Sequence, residues 1–391
     1  MKLALVHAFT WPEVRRGGER LLDDLTTYLR GAGHTVDVYS GTQRESQFHT
    51  GPDGRTYRLR IPWGRALGRI GLTRIETFAA RALTPLLLHR YDAVHAFTPT
   101  AALAAVAAGH PTVYTVLGHP SAQALPRRRA QRSALVRAVA SATEVAALSS
   151  SAADAVTSSF GRRPMVLPPG VFVDRFALNA EPRAGAPRLL FSGDLGNPDK
   201  GLVTLLHAFD RVLGAHPDAR LALSGPGRAD RVMDEIGAAR GRIEAAVDVL
   251  GTGTVADVPR RYRSAHVTLL PSRDEAFGIV LVESLACGTP VVGGTAGGAE
   301  DIVTEDATGR LVVHGDIAGL ASAIEDCITL ARDPDGARRR RDHAKTWDWS
   351  TIGPRYESLY ASVAGRRRLP GLGLFKRDGR AAPSAARPSP S

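Results

Sequence analysis

Cysteine is scarce in this 391-residue chain: only Cys287 and Cys327 occur, and they lack metal-ligand spacing. That excludes a disulfide framework. A chain of this length, 43% hydrophobic, buries a sizeable core without one, and a reducing, cytoplasmic setting is expected. Long apolar runs are also missing. No stretch reaches about 18 uncharged apolar residues, the length a membrane-spanning helix needs. The richest candidate, TAALAAVAAGHP, stops at Gly109, His110 and Pro111. The opening MKLALVHAFTWP has a short apolar run interrupted by His7 and no small-residue cleavage site, so it reads as a first strand rather than a leader. Lysine is rare, four (Lys2, Lys200, Lys345, Lys376) among 50 basic residues. No His/Cys/Asp cluster suggests a metal. No Walker lysine occurs, because Gly196 and Lys200 are wrongly spaced, and VDVLGTG lacks the third glycine of a dinucleotide fingerprint.

Charge is present in excess, at a net +11. Such a balance invites a nucleic-acid or membrane partner. The tail after Gly365 carries more than half of it, with Arg366, Arg367, Arg368, Lys376, Arg377, Arg380 and Arg387 against Asp378 alone. Interleaved aromatics and a recognition motif are missing, so no specific nucleic acid is expected. Two arginine-bearing stretches, RTYRLRIPWGRALGRIGLTRIE and PRRRAQRSALVRAVA, read either as solvated helix faces or as contacts with an anionic membrane surface or an acidic acceptor.

Strand-like and helix-like segments alternate along the chain. KLALVHAF, then GGERLLDDLTTYLRGAGH with helical spacing, then TVDVYS make a β-α-β beginning, and YDAVHAF, PTVYTVL, ATEVAALS and PMVLPPGV continue the strands. A small, proline-bearing stretch, ALNAEPRAGAP, reads as a linker. A second alternating series follows. The expected fold is α/β: two Rossmann-like parallel-sheet domains without long antiparallel patterns, facing a central cleft. The divisions are an N-terminal Rossmann-like domain over 1–180, a linker over 181–187 and a C-terminal Rossmann-like domain over 188–346. A returning helix over 347–364 and a basic, disordered tail over 365–391 complete the chain.

EAFGIVLVESLACGTPVV, residues 275 to 292, places Glu275 and Glu283 eight positions apart around an apolar segment. A helix is expected from near Gly278 to Gly288-Thr289-Pro290, with Glu275 at its mouth and Glu283 inside it. Eight helical residues would span about 12 Å. Free amides of 277 to 280 at the helix start suit an anion such as a diphosphate. Carboxylates at either side suit vicinal hydroxyls of a sugar and a ribose. Two solvated glutamates on a surface helix would need a more polar segment, so Glu283 requires a buried partner.

LGTGTVADVPRRYRSAHVTLLPS, then the glutamate segment running on through GGTAGGAEDIV, then TGRLVV resemble the retaining glycosyltransferase family 4, whose fold is called GT-B. The likeness extends more weakly over about residues 1–363. It implies a nucleotide-sugar cosubstrate, UDP- or GDP-linked, and a hydroxylated acceptor, with no cofactor and no metal. Glu275 would bind donor-sugar hydroxyls and Glu283 the ribose. Backbone at Phe277, Gly278, Ile279 and Val280 would meet phosphate and sugar, with Gly251 of LGTG on the donor side. Lys200 matches a phosphate-binding lysine, Gly17 and Gly18 a loop near the diphosphate, and His119 of VLGHP a histidine near the reacting sugar; His119, Glu275 and Lys200 form the implied catalytic set. The acceptor could be a natural-product intermediate, a polysaccharide or a lipid head group. A sugar-nucleotide epimerase or hydrolase on the same fold and a non-catalytic partner subunit are the competing readings.

Lys200 also stands out without the resemblance, since arginine is this chain's habitual cation and a compact ammonium suits a diphosphate. Asp194 departs from the family pattern, which usually has an arginine there. Facing a diphosphate it would cost about 1–4 kcal/mol at 4 Å. Compensation by another cation is expected, with Arg228 and Arg273 as candidates; the alternatives are that Asp194 contacts the acceptor, such as an amine, or that activity is weak or lost. His95 reads as structural. Asp333-Pro334-Asp335 has the form of a metal-binding carboxylate triplet but reads as a turn.

Overall fold

The computed structural model describes residues 1–9, 14, 17–61, 73–120, 129–254, 256–304 and 306–366. The core of the arginine-bearing 55–76 stretch, the start of the second arginine-bearing stretch and the tail beyond 366 lie outside the described residues.

Two sheets form. The first has strands β1 (Lys2–Val6), β2 (Thr35–Thr42), β3 (Gln47–Gly51), β4 (Gly54–Arg60), β5 (Ala93–Ala96), β6 (Thr112–Val116), β7 (Glu144–Ala147) and β8 (Met165–Val166), in the order β3-β4-β2-β1-β5-β6-β7-β8. The second has β9 (Arg188–Ser192), β10 (Arg220–Ser224), β11 (Val247–Gly251), β12 (Val267–Leu270), β13 (Val291–Gly294) and β14 (Gly309–Val312), in the order β11-β10-β9-β12-β13-β14. Every pairing is parallel except β3 with β4. That short hairpin is the one antiparallel feature of the described sheets, which otherwise follow the expected parallel pattern. It pairs on the outer side of β2, where Asp37 Oδ1 accepts from the Arg55 N–H at 2.8 Å and ties the hairpin to the sheet.

The strand order reverses between β1 and β5 in one sheet and between β9 and β12 in the other. Beyond the carboxyl ends of parallel strands, such reversal points open crevices. The residues leaving β1, β9 and β12 are His7, Gly193 and the 271–278 loop.

Buried strands explain the apolar runs. Leu3 to Val6 of β1 and Val267 to Leu270 of β12 are fully inside, covered by helices on both faces. The helix Gly17–Gly31 buries Leu21, Leu22, Leu25 and Leu29 on one face.

The helix Trp349–Val363 returns across the first lobe. Its Trp349 ring stacks on Tyr28 at 5.4 Å, and the Tyr28 hydroxyl donates to Glu357 at 2.6 Å. Gly353 makes this approach possible, because a Cβ there would lie 2.0 Å from the Tyr28 ring. His95 hydrogen-bonds Tyr360 (2.8 Å) and Thr115 (2.7 Å), which fixes the same helix onto the sheet. One apolar cluster consequently runs from Leu21 and Leu25 through Phe176 and Trp347 to Leu281 and Leu285.

The linker stretch is docked rather than free. The Asn179 N–H donates to Cys287 O at 3.0 Å, and Arg183, buried, donates to Thr289 Oγ1 at 2.6 Å. Asp333 caps the helix Pro334–Ala344 by accepting from the Asp335 N–H, so the 333–335 triplet is a helix start. Both cysteines are buried and unpaired.

Candidate active site

Between the lobes lies a cleft of about 760 Å3. Lys200, Glu275, Gly278, Ile279, Val280 and Glu283 all line it, as does Gly17 from the opposite lobe. A second cavity of about 380 Å3 adjoins it and shares Gly17, Glu275, Gly278 and Ile279 as a common wall. Gly18 and Phe277 face this second cavity. Gly251 lines neither; it ends β11 at φ +60°, accepts from Arg261 at 2.8 Å, and leads into Thr252 and Gly253, which do line the larger cleft. His119 also lines neither. Its Nε2 hydrogen-bonds Ser151 Oγ at 3.0 Å, and its Nδ1 sits 3.9 Å from Asp274 across the lobes.

Loop geometry sets the glutamate pair. The helix runs Ile279–Ala286, so Glu275 lies outside it and the 12 Å helical spacing does not apply. Gly278 turns the chain at φ +94°, and Asp274 adopts φ +54° just before Glu275. Glu275 bridges Gly297, and the Gly298 N–H donates to Glu275 O at 2.7 Å. Glycine is required on that partner loop: a Cβ on Gly297 would meet the Glu275 backbone at 2.6 Å, and one on Gly298 the Phe277 backbone at 2.3 Å.

Each glutamate has a cation. Lys200 Nζ donates to Glu275 Oε2 at 2.5 Å. Lys200 closes the turn Pro198–Lys200, which Asn197 caps and Gly201, at φ +71°, converts into the helix Leu202–Ala215. Glu283 is 1% exposed. It accepts from the Tyr262 hydroxyl at 2.8 Å and pairs with Arg20. Burial pushes its carboxyl upward, and Arg20 with Tyr262 pulls the other way without cancelling the rise. Burial opposes the charge on Arg20, yet Glu283 and Asp24 together outweigh it and hold its guanidinium above the ordinary value. Asp24 in turn accepts from Arg175 at 2.8 Å. An ionic chain thus links the cleft to the crossing segment between lobes.

Arg20 and Tyr262 were not singled out from sequence. Their only local signals were an arginine just after Gly17-Gly18 and a tyrosine in the arginine-rich helix Asp257–Ser264. Asp194 lines the cleft, but its Oδ1 accepts from the Gly196 N–H at 3.0 Å and so shapes its own loop. The expected compensating cations are elsewhere. Arg228 is exposed and pairs with Asp230, and Arg273 is exposed and pairs with Asp199 at 2.6 Å; each is taken up by a neighbouring aspartate. Arg20 is the cleft's second cation beside Lys200 among the described residues.

Among the described residues no three His, Cys, Asp or Glu are grouped to hold a metal ion, and no helix is long and apolar enough to cross a membrane.

Residues 15–175 match the family model described as Glycosyltransferase Family 4, and residues 186–329 match that of Glycosyl transferases group 1. A phosphatidyl-myo-inositol mannosyltransferase of Mycobacterium tuberculosis is 32% identical over 217 residues, 53% of this chain and 56% of that protein, so the chain spans little more than half the length of that relative. A glycogen synthase of the same organism is 28% identical over 414 residues, covering 95% of this chain and 97% of its own. The solved structure of HepE from Anabaena, in complex with UDP-glucose, superposes with a TM-score of 0.72 at 21% identity, over 93% of this chain and 100% of its own. With one of these family models on each lobe and the two sheets facing a shared cleft, the chain belongs to the group 1, family 4 glycosyltransferases of the GT-B fold.

Proposed function

We propose that the protein transfers a hexosyl group from a UDP- or GDP-sugar to a hydroxylated acceptor, with retention of anomeric configuration. The observation that carries this reading is the pair of adjoining cavities with Glu275 and Gly278 in their common wall. The donor occupies the larger and the acceptor the smaller, so the reacting carbon sits where they meet.

The diphosphate rests on the free amides at the start of the helix Ile279–Ala286, with Lys200 and Arg20 supplying positive charge. Glu283 has lone pairs left for ribose hydroxyls beside its bonds to Tyr262 and Arg20. Glu275 turns from Lys200 toward the donor sugar as Lys200 takes up phosphate. The acceptor hydroxyl attacks the anomeric carbon from the face the phosphate leaves. The new C–O bond forms as the bond to diphosphate breaks, and the departing phosphate oxygen takes the hydroxyl proton. The protein positions the partners and neutralises the leaving group, and no metal takes part. His119 stands beside this turn, its Nδ1 3.9 Å from Asp274 Oδ1.

The test is a thermal-shift screen with UDP-, GDP- and dTDP-sugars on the parent, Glu283→Ala and Lys200→Ala. The correct donor raises the parent's melting temperature and that of the variants much less. Equal shifts in all three, or none, would overturn the donor site. Nucleotide released only when an acceptor is added distinguishes transfer from hydrolysis or epimerisation.

We place the protein in the cytoplasm, with peripheral contact to an anionic membrane through the first lobe. Supporting this are Leu87 and Leu88, 55% and 75% exposed at the end of the helix Arg74–Leu88, and the arginine-bearing stretches of the same lobe.

A further inference from the structure

Ser150 opens the helix Ser150–Phe160, just past β7 of the first lobe. Ser149 precedes it as the N-cap, and its Oγ accepts from the Ala152 N–H at 3.1 Å. The Ser150 N–H, like other first-turn amides, has no partner within its helix. It donates across the lobes instead, to Asp301 Oδ2 at 2.8 Å. This helix carries no acid in its own first turn, so the negative charge that favours its start comes from the second lobe.

Asp301 belongs to the short helix Ala299–Ile302, which follows β13 through the loop 295–298. Its own N–H donates to Gly298 O at 3.2 Å, and the Gly298 N–H donates to Glu275 O at 2.7 Å. Ala296 in the same loop sits at φ +68°, and Glu300 Oε1 accepts from its N–H at 3.3 Å. Gly297 and Gly298 lie directly on the backbone of residues 275 to 277, so a shift of this loop moves Glu275 with it.

We propose that Asp301 is a positioning residue for sugar transfer: docked on the start of the helix Ser150–Phe160, its carboxylate holds the lobes together over the cleft and, through Gly298, fixes the backbone that carries Glu275. The inference rests on the transferase reading above and extends it to a residue that lines neither cavity. Lys200, Glu283 and the helix Ile279–Ala286, all of the second lobe, hold the nucleotide without this contact. The aim of the sugar depends on it, so its loss is felt in turnover rather than in nucleotide affinity. The bond is solvent-exposed, which lets it open and re-form as donor enters and product leaves.

The test compares the full chain with Asp301→Ala, Asp301→Asn and Ser150→Pro. Proline suits the first helical position, and Ser149, extended at φ −149° and ψ 166°, suits the residue before it. Ser150→Pro therefore deletes the donor N–H and keeps the helix. Turnover is read as hexose released to water from UDP-glucose and from GDP-mannose. Asp301→Ala and Ser150→Pro should each lower kcat about tenfold, with UDP and GDP affinities within about twofold of the parent. Asp301→Asn, which still accepts from an N–H, should lower kcat only about threefold. Asp301→Ala combined with Ser150→Pro should be no slower than either alone, because both remove one bond. Small-angle scattering of the UDP- or GDP-loaded chain should show a larger radius of gyration in the tenfold variants than in the parent. Melting curves confirm folding. Three results overturn the proposal: either tenfold variant turns over like the parent, nucleotide affinity falls as far as kcat, or the two effects multiply in the double variant. A parent that binds neither nucleotide sinks the donor reading and this one with it. Should the parent bind nucleotide but release no hexose, scattering decides, and unchanged curves overturn the role of Asp301.

Discussion

Glu283 is a carboxylate that its surroundings push toward neutrality, and Arg20 and Tyr262 are what keep it useful as an acceptor. Removing it leaves Arg20 with Asp24 alone and the buried Tyr262 hydroxyl with only its long, 3.4 Å contact to Ser192 Oγ. Glu283→Ala is therefore expected to cost about 1–3 kcal/mol, read from urea unfolding. Arg20→Ala combined with Glu283→Ala should cost less than the sum of the two single changes, because either substitution already breaks the same pair. The need for a partner was legible from the apolar setting of Glu283. The partner itself was not, since Arg20 sits on the other lobe and its helix reads locally as an ordinary amphipathic one.

The turn into the helix Ile279–Ala286 depends on a backbone conformation that side chains resist. Gly278→Ala, at φ +94°, should cost about 1–2 kcal/mol. Nucleotide affinity should fall with it, because the first helical amides are re-aimed; calorimetric titration checks this. The returning helix Trp349–Val363 is similarly sensitive at one position. Gly353→Ala drives a Cβ into the Tyr28 ring and is expected to cost about 1–3 kcal/mol, visible as a lower melting temperature. Both helices were readable from their apolar spacing and flanking Gly-Thr-Pro and Thr-Trp-Asp. The edge hairpin β3-β4 was not, because QFHTG and GRTYRLR carry too few apolar residues to declare a strand.

At the scale of the whole molecule, three buried histidines make stability depend on acid. His7 and His266 are lowered to about 4 and His95 to about 3, in each case by burial first. Below the ordinary value of 6.5 the unfolded chain takes up protons that the folded chain refuses. Stability present at neutral pH is thus lost as pH falls from about 6.5 toward 4, by up to about 1.4 kcal/mol per pH unit for each group. Glu283, raised by burial, works in the opposite sense as pH falls through its raised value toward the ordinary carboxylate range. Urea midpoints at several pH values should show the net decline. The first lobe should also bring the protein down with phosphatidylglycerol vesicles at low salt. Leu88→Asp should reduce that binding about tenfold, and neutral vesicles should not support it.

The amino-acid sequence by itself determined the two alternating series of strands and helices, the glutamate pair around an anion-ready helix start, and the lysine-glycine junction at 200–201. These are local patterns, set by residues within a turn or two of each other. Tertiary structure alone decided that Arg20 and Tyr262 secure Glu283, that Lys200 pairs with Glu275, and that His7 rather than His119 faces the second cavity. It also decided that Arg228 and Arg273 spend their charge on neighbouring aspartates away from the cleft. Each of those outcomes follows from strand order and lobe packing, which bring together residues far apart in the chain and leave no periodic trace along it.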